Sequence, residues 1–440
     1  MEENNETKNE LIDNINPENE IQLVDLAVSL SNYEDEELKK ICGDLNDESL
    51  AKVLEEAEIK IQKKIIGFLD NTRVIDIFSF MSKDDVADIL GFLNTGRRKE
   101  LIKIMKAGDK AVIKELLGYK EDSAGGIMTT EYIALSQDLT VKEAISKIKE
   151  IAPKTEYIQT IYIMNSSKKI QGTVDLRDIL VADENLKLEE IAEKDFIYVT
   201  PELDQEEVAK IVSKYDLNAV PVLNSKKRML GIVMVDDVVD VLVEEQTEDI
   251  LKMGGVAKEE TLDSTLSESI KMRLPWLFIN LITAFLAALT VKAFESTIAK
   301  AVALSATMSI VTGMGGNAGT QTVSIIIRNL AMGKVKFKEV GHLLMKEVIL
   351  GLINGAIIGL VTGIIVALIY QNMYLGLIIF LAMIGNLIIS GFFGLIIPII
   401  LEKLKIDPAL SSSIFLTTAT DVLGFFLFLG LASIFISKLI

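Results

Sequence analysis

Five long apolar runs in the C-terminal part of the chain constrain its fold more than any other feature. They lie at about 275–297, 299–324, 347–370, 374–401 and 409–437. Each is close to the roughly 20 residues that an α-helix needs to span about 30 Å of hydrocarbon. A chain in hydrocarbon has to satisfy its backbone hydrogen bonds internally, which favours helices. The sequence therefore predicts a five-helix transmembrane domain over residues 273–440.

Charge separates this region from the rest of the chain. The whole chain carries −18, but the part beyond Pro275 has ten basic and six acidic side chains, which leaves about −22 for the first 274 residues. The flanks that would be cytosolic hold nine basic residues and the outer flanks three, which fits the positive-inside rule with the C-terminus outside. The first 25 residues lack a signal-peptide pattern, and the single cysteine, Cys42, excludes an intrachain disulfide. We expect a multi-pass protein of the cell membrane with cytosolic N-terminal domains and no nucleic-acid partner.

Asp421 is the only acidic residue between Ile414 and Ile436, in the last apolar run. An ionised carboxylate at the centre of a bilayer costs roughly 3 kcal/mol even on lenient scales, so such a residue usually has a function. Thr417 and Gly424 share a helical face with it. The alternative is an ion pair with a membrane lysine, but no basic residue lies near the centre of any run. The pattern indicates a cation path.

The second run ends in a glycine-rich segment, Gly-Met-Gly-Gly-Asn-Ala-Gly-Thr-Gln, at residues 313–321. Its amides Asn317 and Gln321 stand one helical turn apart. Small residues also let helices pack closely, so a helix-packing seam is the alternative to a pore lining.

Oxygen ligands of this kind suit hard cations such as Mg²⁺, whereas zinc and copper favour imidazole and thiolate. Because one carboxylate per chain is little charge for a divalent ion, a pore on a two-fold axis of a homodimer is the hypothesis.

Between Leu45 and Leu117 a leucine followed by a turn or capping residue recurs every 24 residues. The segments between have helical periodicity, with Ser82 and Asp84 as capping candidates for one of them. This pattern predicts an all-α superhelical N domain at residues 31–125, preceded by a disordered tail at 1–30.

A second repeat, with an offset of 59 residues, lies at about 126–242. Residues 161–172 match residues 220–231, and Asp178 matches Asp237. Each copy predicts a strand, a polar turn and a strand, with helices before and after. This α+β arrangement resembles a tandem pair of CBS domains, which are regulatory modules for adenosine nucleotides or ions. Residues 243–272 then predict a connecting helix, broken at Gly254-Gly255.

In this order, the parts resemble the MgtE family of magnesium channels and transporters over nearly the whole chain beyond about residue 30. The resemblance is carried by the 313–321 segment, by Asp407-Pro-Ala-Leu410 before the fifth run, and by Thr417-Thr418 ahead of Asp421. It implies a homodimeric, Mg²⁺-selective channel whose cytosolic domains sense intracellular Mg²⁺ and close the pore, with the connecting helix as a plug.

The resemblance also implies roles for single residues. Asp421 would bind the ion in the pore, near Asn317, Thr417 and Thr418, with Gln321 one turn from Asn317. Eight acidic residues match positions that would hold regulatory Mg²⁺: Asp84, Glu206, Asp216, Asp237, Asp240, Glu245, Glu248 and Asp249. For ATP or another adenosine nucleotide the candidates are Asp178 and Asp237, which could instead cap helices or face Mg²⁺.

Two other classes of protein stay open at this point. A sodium-coupled divalent cation transporter or exporter would use the same oxygen ligands. A membrane-bound enzyme is disfavoured, because the sequence has no P-loop, no His-Glu-x-x-His and only one histidine, His342. We expect no catalytic residues.

Overall fold

The computed structural model describes residues 20–155, 157–167, 169–256, 260, 264–335 and 337–439. The chain divides into two units, Met1–Leu242 and Val243–Ile440.

Short helices build the N-terminal half of the first unit. They are α1 Glu20–Ser29, α2 Asp35–Asp44, α3 Asp47–Glu56, α4 Ile59–Phe68, α5 Asn71–Phe78, α6 Lys83–Phe92, α7 Thr95–Ile104 and α8 Ala107–Leu116. The polar residues of the 24-residue repeat cap every second helix at its N-terminus. The side chains of Asn46, Asp70 and Asn94 accept hydrogen bonds from backbone N–H groups at the start of α3, α5 and α7. Ser82 caps α6, by accepting from the Asp85 N–H. The predicted helical repeat is confirmed in these residues.

The N domain begins earlier than predicted. Helix α1 lies inside the range that we expected to be a disordered tail, and its Leu23, Leu26 and Ala27 are almost fully buried in the core of the helical repeat. Their three- and four-residue spacing gives α1 one apolar face, which explains why it packs. The rest of the predicted tail, residues 1–19, lies outside the described residues.

The second half of the first unit contains two related α+β repeats. Their elements are β1 Tyr132–Ser136, α9 Val141–Ile151, β2 Tyr157–Met164, β3 Ile170–Asp175, α10 Leu176–Val181, α11 Leu188–Ile191, α12 Gln205–Tyr215, β4 Ala219–Leu223 and β5 Met229–Met234. Both hairpins have the same register, because Ile163 pairs with Gly172 and Val222 with Gly231, and each has an irregularity one residue later. The offset of 59 residues is therefore structural as well as sequential.

Helix α13, Val235–Met253, follows the second repeat and ends at the Gly254-Gly255 turn, where Gly255 has φ +74°. The next helix begins at Leu266, so residues 266–272 of the predicted connecting segment belong to it. The connection between residues 243 and 272 is thus not one continuous helix.

Long helices build the second unit. They are α14 Leu266–Ala293, α16 Ala303–Ala331, α17 Val340–Tyr370, α18 Met373–Lys403 and α19 Pro408–Ile434, with the short α15 Glu295–Lys300 and α20 Ile436–Leu439. Four segments of the described chain are long and apolar enough to cross a membrane: Leu266–Ala293, Val340–Tyr370, Met373–Lys403 and Ser412–Ile434. Helix α16, which carries the glycine-rich segment, has 29 residues but is not among the four. The predicted count of five spans therefore stays a prediction at α16.

Glycines let α17 and α18 approach closely. A Cβ at Gly355 of α17 would lie 2.7 Å from the Ile384 Cα, and one at Gly363 would lie 2.7 Å from the Gly376 carbonyl oxygen. Gly351 and Gly359 meet α18 in the same way and continue the stripe. Such small-residue stripes are typical of helix packing in membranes.

The capping bonds of the helical repeat allow a direct test. Asp70→Ala removes an acceptor from two backbone N–H groups at the start of α5, which should cost about 1 kcal/mol. We expect roughly fivefold faster amide hydrogen exchange in α5. Glu58→Ala is the matched control, because Glu58 holds the same position before α4 without a side-chain capping bond. Equal effects of the two substitutions would contradict the assignment.

Candidate ion path and carboxylate cluster

Contacts among the long helices of the second unit bring Asn317 and Asp421 to one depth. The Asn386 side chain of α18 lies against both Gly315 of α16 and Gly424 of α19. One turn further along α16, Gly319 faces the side chain of Leu416. Helices α16 and α19 therefore run antiparallel. Asn317 lies midway between Gly315 and Gly319, so it is level with the residues of α19 midway between 416 and 424. Asp421 is one of them.

The predicted path residues lie on the open sides of these helices. Asn317, Gln321 and Thr417 are exposed, and Thr418 and Asp421 are partly exposed. The hydroxyls of Thr417 and Thr418 each donate to a carbonyl of their own helix at 2.7 Å, those of Ser413 and Ile414. Their oxygen lone pairs stay available to a cation or its water.

Asp421 has no hydrogen bond or ion pair with any residue that the structure describes. The alternative of a lysine pair is thus not realised in the described chain. Within the same residues, no group of three or more acidic, histidine or cysteine side chains is arranged to hold a metal. An ion at Asp421 would consequently keep water or need ligands from a second copy, and Mg²⁺ suits this because it usually retains several waters.

Sequence reasoning missed two polar positions in the membrane-embedded helices. Asn386 and Ser390 of α18 are fully buried and hydrogen-bond to α16: the Asn386 Nδ2 donates to the Val311 carbonyl, and the Ser390 hydroxyl to the Gly315 carbonyl, both at 2.7 Å. An amide and a hydroxyl four residues apart in an apolar run were the available signal.

Glu347 of α17 was also missed. Its Oε2 accepts from the hydroxyl of Thr322, which directly follows Gln321 in α16, at 3.0 Å. Glu347 was missed because it stands at the start of an apolar run, where a charged residue is expected to lie at the membrane interface.

The end of α13 packs where α16 and α19 meet. Met253 contacts a cluster that contains Val323 and Leu416. The Lys252 ammonium lies 2.5 Å from Asp407, which caps α19, and also pairs with Glu248. Both carboxylates raise the pKa of Lys252 against its burial, so it stays charged. Of the predicted regulatory residues, Glu248 is thus occupied by a lysine in this arrangement.

A separate group of carboxylates lies within the first unit, between α6 and the second α+β repeat. Ala87 of α6 shares a core with Val220 and Val238 of that repeat, and this packing brings Asp84 close to Asp237. Burial, helped by Asp236, Asp84 and Asp85, raises the pKa of Asp237 to about 7.

The charge of this group is poorly compensated. Burial also raises the pKa of Asp84, with Glu131 adding to the shift, and the Asp84 Oδ1 is buried without a hydrogen-bond partner among the described residues. Nearby Asp85 has a pKa raised by burial to about 6, and Glu55 one raised by burial to about 7. A buried carboxylate oxygen without a donor fits a cation.

The other predicted regulatory residues are not gathered at this cluster by any contact that the described residues show. Glu206 pairs with Lys210 at 3.1 Å, Asp216 ends α12 with φ 51°, and Asp240 is exposed. Glu245 and Asp249 belong to the second unit, with Glu248. The nucleotide candidate Asp178 lies in α10 beside Arg177, 3.9 Å away.

Comparison with known proteins identifies the parts of the chain. The family model described as the MgtE divalent cation transporter matches residues 308–431, which hold the Asn317 and Asp421 positions. The model of the MgtE intracellular N domain matches residues 21–122, and the CBS model matches 124–185 and 188–244. Magnesium transporter MgtE of Bacillus subtilis is 33% identical over 335 residues, 76% of this chain and 74% of the relative. The chain belongs to the MgtE family.

Two further proteins are also similar to the chain. MgtE of Thermus thermophilus is 33% identical over 333 residues, 73% of this chain and 72% of the relative. A crystal structure of the cytosolic domain of the Mg²⁺ channel MgtE in complex with ATP is 31% identical and covers 53% of this chain and 92% of that one, with a TM-score of 0.49. Membership makes the chain a multi-pass membrane protein that transports Mg²⁺ and has cytosolic N-terminal domains. The family is one of membrane transporters.

The pKa of Asp237 predicts a pH dependence of stability. Because folding raises this pKa from 3.8 to about 7, the folded state binds more protons between these values, and its stability should fall as pH rises from 4 to 7. Without Mg²⁺, Asp237→Asn should therefore raise the thermal midpoint of the cytosolic domains at pH 8 and have little effect at pH 4. Asp178→Asn, the equivalent change in the first repeat, is the control. A lower midpoint for Asp237→Asn at pH 8 would contradict this reasoning.

Proposed function

We propose that the chain forms a homodimeric, Mg²⁺-selective channel with its path along α16 and α19. The carrying observation is Asp421: a carboxylate without a protein partner in the described chain, on an apolar helix and level with Asn317. The uncompensated charge attracts a divalent cation. Amide and hydroxyl oxygens from Asn317, Gln321, Thr417 and Thr418 then hold the water around the ion rather than strip it.

The exposed polar side of α16 supports the homodimer. Asn317 and Gln321 are exposed on this helix, and lipid would leave their amide groups unsatisfied. A second copy related by a two-fold axis would cover them and supply the second aspartate. In this arrangement α16 also crosses the membrane. The four other spans and α16 then make five, which places the C-terminus outside.

Intracellular Mg²⁺ closes the channel in this proposal by binding the carboxylate cluster of the first unit. Mg²⁺ between Asp84 and Asp237 would neutralise their charge and favour the state in which the helical N domain packs on the CBS pair, residues 126–242. Asp240, Glu206 and Asp216 would serve further ions. A cation shifts such an equilibrium only by its difference in affinity for the two states.

The connecting segment, residues 243–272, would carry this closure to the path. Its support is the contact of Met253 with the cluster of α16 and α19, and the pair between Lys252 and Asp407. Mg²⁺ would also bind at the cytosolic entrance, to the α13 residues Glu245, Glu248 and Asp249. Binding of ATP or another adenosine nucleotide by the CBS pair stays a prediction for Asp178 and Asp237.

Asp421→Asn tests the path. The isosteric change removes the charge, and we expect Mg²⁺ uptake into proteoliposomes to fall about a hundredfold, because interactions with a charged group contribute roughly 3 kcal/mol. Glu295→Gln, which changes an exposed carboxylate of α15, is the control for a lost carboxylate. Near-normal uptake by the Asp421 variant would remove it from the path, and uptake that needs a sodium gradient would indicate a coupled transporter instead.

Neutralising Asp237 and Asp240 together tests the sensor. We expect the double asparagine variant to need at least about fivefold more Mg²⁺ on the cytosolic face for closure, the lower range of allosteric coupling, because the loss of two Mg²⁺ ligands outweighs the repulsion that the variant relieves. Measurements without nucleotide separate this effect from ATP binding. Asp178→Asn is the matched control, since it lies 59 residues earlier at the equivalent position of the first repeat. Closure at the wild-type concentration would contradict the sensor.

A further inference from the structure

Asn386 is the most deeply buried amide among the described long helices of the second unit, and its side chain contacts two others, α16 and α19. It lies in α18, its exposed fraction is 0%, and its Nδ2 donates to the Val311 carbonyl of α16. That bond fixes which end of the amide faces α16. The Oδ1 atom then has no hydrogen-bond partner among the described residues.

Two glycines make room for this side chain. A Cβ at Gly424 of α19 would stand 2.9 Å from the Oδ1 atom and 3.1 Å from the Cγ atom, and a Cβ at Gly315 of α16 would overlap the amide as well. Any larger residue at either position would push α16 and α19 away from α18. The amide thus fills the space between the two helices that bear Asn317 and Asp421.

We propose that Asn386 is a positioning residue that sets the spacing of α16 and α19, and through it the selectivity of the path among divalent cations. The inference rests on the proposed path at Asp421. Asn386 does not itself contact the ion, because its side chain is enclosed by the two glycines. Gly424 is one turn from Asp421 on the same helix, so a shift at Gly424 moves the carboxylate directly.

Spacing matters for selectivity because divalent cations differ in size and in how readily they lose water. Mg²⁺ binds at 2.0–2.1 Å in near-octahedral geometry, whereas Ca²⁺ accepts irregular shells at about 2.3–2.6 Å. A path held at a fixed width favours a compact hydrated ion. A path whose helices can move apart accommodates both.

The bond between the Asn386 amide and the Val311 carbonyl opposes such movement. In the membrane it has no competing water, and the backbone of α16 lies close at Gly315. Ser390, one turn along α18, bonds the Gly315 carbonyl and supports the same helix without lying between α16 and α19 at Gly424. The two residues can therefore be separated by mutation.

The test measures competing Mg²⁺ and Ca²⁺ uptake by the full-length protein in one proteoliposome preparation. The ratio of the two rates is independent of how much protein is folded. We expect Asn386→Ala to lower the Mg²⁺/Ca²⁺ ratio about tenfold, the equivalent of one lost hydrogen bond, and Ser390→Ala to change it less. Reduced uptake of both ions with an unchanged ratio would make Asn386 merely structural and overturn the proposal.

Gly424→Ala approaches the same contact from the other helix. Alone it should depress uptake, because its Cβ meets the amide, whereas in the Asn386→Ala background it should be tolerated. Gly430→Ala is the control in the same helix, since a Cβ there would meet nothing within 4 Å. Equal damage by Gly424→Ala in both backgrounds would overturn the contact. Wild-type uptake that is lost in Asp421→Asn, with an unchanged ratio in Asn386→Ala, would leave the path intact and reject this inference alone.

Discussion

Low polarisability of the bilayer interior is the constraint on which the membrane-embedded helices depend. It makes each unpaired polar group expensive, so the apolar helices pack through glycines and satisfy their amides and hydroxyls internally. Asn386 and Ser390 follow this rule by bonding carbonyls of α16. Asp421 does not follow it within the described chain, and a carboxylate that the fold leaves without a partner is one that a cation can use. The same physics that selects the helices thus marks the candidate path.

Buried charge also organises the first unit, with a different outcome. Asp84 and Asp237 come together because Ala87 packs on the apolar core of the second repeat, and that packing has to overcome the repulsion of the carboxylates. Protonation removes both the cost of burying the charge and the repulsion, and these two effects raise the pKa of Asp237. A divalent cation would also lessen the repulsion. The contact between helical domain and CBS pair is therefore conditional on what neutralises it, which is the property that a sensor needs.

The sequence predicted what depends on local pattern. Apolar length, the isolated Asp421, the capping residues of the helical repeat and the offset of 59 residues are all readable along the chain. Helix α1 was readable too, since Leu23, Leu26 and Ala27 share one face, but the acidic and amide-rich start of the chain outweighed them. Contacts between distant segments were not readable: Asn386 meets a carbonyl 75 residues away, and Lys252 meets a carboxylate 155 residues away. The proximity of Asp84 and Asp237 came only from resemblance to the family.

In the proposed mechanism, protons would compete with Mg²⁺ at the carboxylate cluster, and this competition would link gating to pH. Because burial raises the pKa of Asp237 to about 7, its carboxylate would exchange protons near neutral pH, and Mg²⁺ binding there would release protons. Lower pH would weaken Mg²⁺ binding while itself relieving the repulsion between the carboxylates. The weaker binding would raise the Mg²⁺ concentration needed for closure. The relieved repulsion would at the same time favour the packed first unit before Mg²⁺ binds. Protons and Mg²⁺ would act on the same carboxylates. The effect of pH on gating would therefore be the difference between the weaker Mg²⁺ binding and the relieved repulsion, rather than their sum.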